Sequence, residues 1–583
     1  MLQSNSEARI HADLAFLYGL ERAEELAARF AAQLAAFAAQ HPVGAAMPPE
    51  ERLSQDDVML ITYGDQISEP GVPPLRTLAA VLGTTLGGVA SGVHVLPFYP
   101  YTSDDGFSVV DYRMVDPLLG TWADLEPLRA DYKLMFDAVV NHISASSVWF
   151  QAFLNGEPHA EARFITLDPA TDVSLVTRPR THPLLTRFET LDGPRWVWTT
   201  FSTDQIDLNF ANPDVLLEMI DVLLLYVAHG AALIRLDAIG YLWKELGTRS
   251  IHLAQTHRVV QLFRAVLDAV APQVLLVTET NVPHVDNVSY FGDGVNEAQM
   301  VYQFPLAPLV LNAFQSGNAQ HLRHWAAELR APSPQTTFFN FLASHDGIGV
   351  VPAAGILSVA EVAALAAQTL AHGGRVSYKT NSDGSQSPYE LNITLFDALS
   401  DPALPDDDLA IDRFVCANAI MLALSGVPGV YVHSLVGSHN NLAGLAETGR
   451  ARTINREKWQ RDGFEGRLAK ADSHERHVFE RMAQLIRVRR SQPAFHPNGP
   501  QQLVDTSDAL FVLLRVASAG NSRVVCVHNV SPAPQPLTLE LTALGMPGAA
   551  SLTDVLTGAR YAADTGLLHV AVAPYQVLWL GTA

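Results

Sequence analysis

Three carboxylates in this sequence stand where a reacting group would be useful. Asp237 follows LIRL, Glu279 follows QVLLVT, and Asp346 closes FFNFLASHD. Each preceding run is short, apolar and rich in β-branched or aromatic residues, as a buried strand is. A carboxylate at the tip of such a strand is held rigidly and open to whatever binds above the sheet. Paired carboxylates can cleave glycosidic bonds: one attacks the anomeric carbon while a protonated one gives its proton to the leaving oxygen. Arg235 lies two positions before Asp237, so both side chains share one strand face, and the cation favours an ionised Asp237. DAVVNH contributes Asp137, Asn141 and His142, and ASHD contributes His345. Both histidines can donate hydrogen bonds to sugar hydroxyls. Singly, an aspartate at a strand end is most often a helix cap and a histidine a satisfied core group. Their shared position at the same end of successive strands is what marks a site.

Those strands belong to a longer rhythm. VMLITY, VHVLPF, LMFDAVV, ALIRLDA, QVLLVTE, VYQFP, FFNFLAS and GVYVH alternate with helical stretches from residue 58 onward. Alternation of this kind predicts βα units around a parallel sheet, and eight strands predict an α/β fold of the closed (β/α)8 barrel type. No glycine-rich dinucleotide fingerprint follows any strand, which removes the main argument for an open doubly wound sheet. In such a barrel the site lies at the C-terminal ends of the strands. The barrel is expected over 56–144 and 206–500. A loop-rich domain inserted at 145–205 splits it, and a second long interruption at 347–410 follows the seventh strand. Both are candidate lids. Residues 1–55 read as a helical extension, with Ile10, Leu14 and Leu17 on one face and Leu26, Phe30, Leu34 and Phe37 on another, broken at Gly19. Residues 501–583 read as an antiparallel β domain containing ALFVLLRV, SRVVCVHNV, PLTLEL and YQVLWL.

Sixty acidic against 38 basic residues give a net charge of −22. No basic footprint is left for nucleic acid or anionic membranes as partners. Cys416 and Cys526 each sit in an apolar run, so no disulfide framework is expected, in keeping with a cytoplasmic protein. The opening MLQSNSEARIHADLAF lacks a basic region followed by an apolar one, so no signal peptide is expected. There is neither an HExxH motif nor paired-cysteine spacing, and His474 and His477 lack a third ligand nearby, so neither metal nor cofactor is expected.

DAVVNH, RLDAIG, VTETN and FLASHD resemble four signature motifs of the α-amylase family, and QIDLNF at 205–210 resembles its fifth. The resemblance runs from about residue 56 to the end. It implies Asp237 as nucleophile, Glu279 as acid/base and Asp346 as transition-state stabiliser, with Arg235, His142 and His345 in support. LITYGDQI, GVHVLPFYPYTSDDGFSVVDY, SHDGIGV, PGVYV and GRARTINR are similar to the sucrose phosphorylase branch. That likeness implies Asp104 and Arg452 on the far hydroxyls of a glucosyl unit, with Phe107 and Phe201 as apolar walls. It further implies a retaining enzyme in which inorganic phosphate, a co-substrate, replaces water as the second nucleophile. Metal is not expected near Asn141, and a homodimer is the assembly the branch suggests.

SYKTNSDGSQSPYELNIT departs from the usual acceptor loop of sucrose phosphorylases. Tyr389 is kept, but Glu390 stands where glutamine is typical. Together with LYGLERAEEL, this run resembles glucosylglycerate phosphorylases, whose acceptor is a small anion. Arg180 and Lys379 could supply the matching charge. Phosphorylases of sucrose, sucrose 6-phosphate or glucosylglycerol stay open as alternatives. Further off stand an α-glucosidase or amylosucrase-like transglucosylase and a non-catalytic interaction subunit.

Overall fold

A computed structural model describes residues 4–42, 47–381, 384–402, 404 and 407–582. Eight parallel strands close into a barrel: β1 (Met59–Thr62), β2 (Gly92–Val95), β3 (Lys133–Ala138), β4 (Ala231–Leu236), β5 (Leu275–Thr278), β6 (Met300–Tyr302), β7 (Thr337–Asn340) and β8 (Val427–Tyr431). Each pairs with its neighbours in chain order, and β8 closes onto β1 through Met59 opposite Gly429. The strands are almost wholly buried on both faces, which is why they read as continuous apolar runs. The register sets Arg235 of β4 between Asp137 of β3 and Val277 of β5, so inward-facing polar residues of adjacent strands meet at one level.

The N-terminal segment forms α1 (Ser4–Tyr18) and α2 (Leu20–Gln40), broken at Gly19, whose φ of 87° suits a residue without a Cβ. They lie on the barrel's outer helices α3 (Pro213–Ala228) and α4 (Ala254–Val270). Leu14, Leu26, Phe30 and Leu34 are buried there, each contributing about 1.5–3 kcal/mol by leaving water. Arg9 with Asp268, Arg258 with Asp13, and the Tyr18 hydroxyl on the Phe210 carbonyl fix the docking angle.

The 145–205 insertion holds more regular structure than a loop-rich reading expects, and the 347–410 interruption holds regular structure too. Residues 145–205 contain a helix (Val148–Leu154) and a three-stranded antiparallel sheet of Thr166–Leu167, Gly193–Trp198 and Leu185–Thr190. The Asp192-Gly193 dipeptide is the turn signal for that hairpin. In the later interruption Arg375–Thr380 pairs antiparallel with Gln386–Asn392. The C-terminal sheet has eight strands where four were legible. Among the additional ones, Arg560–Asp564 alternates between exposed and half-buried positions, so no apolar run announces it. One face of this sheet, including Leu513, Cys526 and Trp579, joins the barrel core, and the other closes a separate small core. Both cysteines are buried free thiols. Among the described residues no helix is long and apolar enough to cross a membrane.

Candidate active site

Asp237 and Glu279 each stand one residue past their strand, and the ladder carries on beneath them. The Asp237 amide donates to the Ala138 carbonyl and that of Glu279 to the Leu236 carbonyl. Both therefore project from the C-terminal rim on fixed backbone. Arg235, fully buried, links the carboxylates. Its Nη1 lies 2.9 Å from Asp237 and also bonds Asp137, while its Nη2 is 3.9 Å from Glu279. Asp137 in turn takes Nε2 of the buried His94 at 2.6 Å. Ala238, at φ 47°, turns its N–H onto Glu279 at 3.1 Å. A non-glycine residue in that region carries strain of order 1–3 kcal/mol, which the surrounding structure must hold.

Asp346 sits opposite. Arg452 Nη1 reaches it at 2.6 Å and Arg456 Nη2 at 3.7 Å. These surroundings drive the three acids apart. Burial raises Glu279 to about 7, against the pull of Arg235 and with help from Asp237 and Asp346. Burial also raises Asp237, where the nearer contact with Arg235, and His142, pull the other way. For Asp346 burial is outweighed by Arg452, His345 and Arg456, which hold it far below the usual carboxylate range. The sequence reading, in which Arg235 keeps Asp237 ionised, is therefore incomplete: burial outweighs the cation. When one proton is shared, Arg235 at 2.9 Å favours an ionised Asp237 and leaves the proton on Glu279. The arrangement can supply an anionic nucleophile, a proton donor and a permanent third anion together.

The rim residues divide into those free to meet a ligand and those already engaged. Asp104, Phe107, His142, Phe201, Asp237, Glu279, His345, Asp346, Tyr389, Glu390, Arg180 and Arg452 line one pocket, with Arg235 and Asp137 outside its lining. Phe107 stacks flat on His345 at 4.7 Å, and Phe201 leans on His142 and Tyr241. His142 Nε2 is already bonded to the Phe107 carbonyl at 2.8 Å, so that nitrogen serves the wall before any sugar. Glu390 faces Arg452 through Nη2 at 2.6 Å and Nε at 3.3 Å. Asp104 lies 3.7 Å from both Arg452 and Arg456. Arg180 has no carboxylate partner among the described residues; its guanidinium lies over the Tyr389 ring at 5.3 Å, and burial pushes that phenol up to about 12. Lys379 corrects the sequence reading. It sits on the edge strand Arg375–Thr380, opposite Ser387 and outside the pocket lining, two and three positions along the partner strand from Tyr389 and Glu390.

Gln205, Tyr241, His252, Asn281, Arg456 and Lys244 went unread in the sequence. The first four line the pocket. Lys244 is buried beneath it, its ammonium 2.9 Å from Asn141 Oδ1 and 2.8 Å from Asp207. A fixed cation thus occupies the space between these two oxygen ligands. Among the described residues no group of three or more histidine, cysteine or acidic side chains could hold a metal. Gln205 opens QIDLNF, Asn281 closes VTETN, Arg456 closes GRARTINR and Tyr241 directly follows RLDAIG, so these four lay in or beside a motif; His252 and Lys244 lay in none.

Residues 86–379 match the model of the α-amylase catalytic domain. The chain is 52% identical over 568 residues to a glucosylglycerate phosphorylase of Allomeiothermus silvanus, covering 97% of each chain. It is 46% identical over 580 residues to a glucosylglycerate phosphorylase of Spirochaeta thermophila, again covering 97% of each. Among solved structures, sucrose 6F-phosphate phosphorylase from Thermoanaerobacter thermosaccharolyticum superposes with a TM-score of 0.71 at 25% identity, over 82% of this chain and 94% of that one. With a closed eight-stranded barrel, acidic residues at its C-terminal rim and relatives of this identity along nearly its whole length, the chain belongs to the α-amylase family.

Proposed function

We propose that this protein is a retaining phosphorylase that moves a glucosyl unit from glucosylglycerate to inorganic phosphate, releasing α-glucose 1-phosphate and glycerate. Asp237 attacks the anomeric carbon as Glu279 protonates the departing glycerate oxygen, leaving a β-glucosyl ester on Asp237. A phosphate oxygen then attacks the same carbon from the opposite face. The ester bond breaks, and Glu279, now ionised, takes the proton that the phosphate gives up. Asp346, kept anionic by Arg452 and Arg456, faces the positive charge that develops on the sugar in both steps. No cofactor enters this cycle, and two buried free thiols without a disulfide suit the cytoplasm.

The observation that carries the acceptor assignment is the free guanidinium of Arg180 at the pocket wall, over Tyr389. Every other cation of the inner pocket is neutralised by a carboxylate, so Arg180 is the group available to an anionic acceptor and then to phosphate. The names of the two relatives at 52% and 46% identity support glycerate as that anion. The same cation would also suit a phosphorylated sugar, so the deciding assay is phosphate-dependent release of α-glucose 1-phosphate from glucosylglycerate, sucrose, sucrose 6-phosphate and glucosylglycerol. Fastest release from glucosylglycerate is expected. Free glucose in place of the phosphate ester, from every donor, would overturn the phosphorylase reading.

A further inference from the structure

His252 is one of the few non-glycine residues with left-handed backbone, at φ 56°, two positions after Ser250 at φ 48°. Such pairs carry strain, and strain persists where a particular orientation is needed. Here the orientation is clear. The His252 amide donates to the Gly240 carbonyl, and the ring lies close over Gly240, where a Cβ would come within 3.1 Å of its Cε1. Nδ1 is 2.8 Å from the Tyr290 hydroxyl. Tyr290 is fully buried and stacks on His257, which is itself tied to the buried Glu297 at 2.9 Å. Burial lowers His252 to about 4 and raises the Tyr290 phenol well above its usual value, so both are neutral near pH 7. Between a neutral phenol and a neutral imidazole, the phenol donates. Nδ1 is therefore the acceptor and Nε2 carries the hydrogen. Nε2 has no partner among the described residues, and the ring lines the pocket that holds Glu279 and Arg180.

The loop carrying His252 is also joined to the loop carrying Arg180. The Thr177 amide donates to the Arg249 carbonyl at 2.9 Å, bracing residues 249–252 against 177–180. A neutral N–H and a guanidinium without a carboxylate partner are thus presented on two loops joined by a backbone hydrogen bond.

We infer that His252, oriented by Tyr290, is an acceptor-specificity residue whose Nε2–H bonds the carboxylate of the departing acid alongside Arg180. This deepens the reading of the enzyme as a phosphorylase with an acid acceptor and depends on it. Tyr290 acts through the imidazole and is a positioning residue.

The test loads the enzyme from α-glucosyl fluoride, which needs no acceptor to leave, and measures transfer to glycerate and to glycerol. The wild type should prefer glycerate. His252→Ala should reduce that preference about 10-fold or more, through a fall in transfer to glycerate. His252→Gln, which keeps a neutral N–H, should recover part of it. Tyr290→Phe should raise KM for glycerate more than it changes kcat. A wild type without preference for glycerate would sink the acid-acceptor reading itself. A wild-type preference left intact in His252→Ala, or an equal fall for glycerate and glycerol, would overturn the role given to His252.

Discussion

The floor and the mouth of the pocket are built on opposite principles. On the floor every charge is answered: Arg235 by Asp137 and Asp237, Asp137 by His94 as well, Asp346 by Arg452, and Arg452 by Glu390. These groups stand on strand ends or are locked by residues that do; Arg235, Asp137 and His94 are fully buried, and Asp346 and Arg452 are half-buried. At the mouth, Arg180 and His252 stand on loops and each presents an unpaired donor. The floor is complete without a ligand, as a site that must stabilise a transition state at no reorganisation cost should be. The mouth is left incomplete, so that the acceptor itself supplies the missing partner. One half of the pocket fixes the reaction and the other selects the molecule.

If that division is right, removing a floor charge should stop the chemistry with every donor. Asp237→Ala should reduce turnover by roughly four orders of magnitude or more on all donors, α-glucosyl fluoride included, by steady-state assay. Equal residual activity on one donor would break the comparison. Glu279→Gln should cost about 10²–10⁴-fold on glucosylglycerate but far less on α-glucosyl fluoride, whose leaving group needs little protonation. Glu279 titrates near 7 and must be protonated for the first step, so kcat/KM for glucosylglycerate should fall as pH rises through that value. A flat profile between pH 6 and 8 would remove Glu279 as the proton donor.

Lys244 sharpens the comparison from below, because it belongs to the floor's support and touches no ligand. Lys244→Met leaves Asp207 buried without its cation, which should cost about 3–5 kcal/mol of stability. Denaturant unfolding would read this loss; an unchanged midpoint would mean that Asp207 is adequately held by Thr200. The smallest effect belongs to the mouth. Arg180→Ala should lower kcat/KM for glucosylglycerate by roughly 10–100-fold, the worth of a charged hydrogen bond of about 1.5–3 kcal/mol. Transfer to glycerol should change little. Parallel loss on both would place Arg180 in the floor.

The contrast also explains what could be read in advance. The eight strands were legible because each is buried on both faces and had to be continuously apolar. Asp237 and Glu279 were legible because they interrupt those runs at a fixed end, and strand alternation put Arg235 beside Asp237. The paired helices α1 and α2 followed from periodicity and a single glycine. Lys379 and Arg180 looked equivalent as loop cations in the sequence, yet Lys379 stands on an edge strand opposite Ser387, outside the pocket lining, while the 177–180 loop carries Arg180 into it. His252 and Lys244 carry no local pattern at all.

By itself, then, the sequence determined the barrel, the order of its strands and the three acids at its rim, since burial constrains composition residue by residue. Tertiary structure alone decided which proton each acid keeps, that Glu390 engages Arg452, that an ammonium sits between Asn141 and Asp207, and which two unpaired donors face the acceptor. These outcomes depend on distances between loops far apart in the chain, and a hydrogen bond or a pKa responds to shifts of an ångström that hydrophobic patterning does not encode.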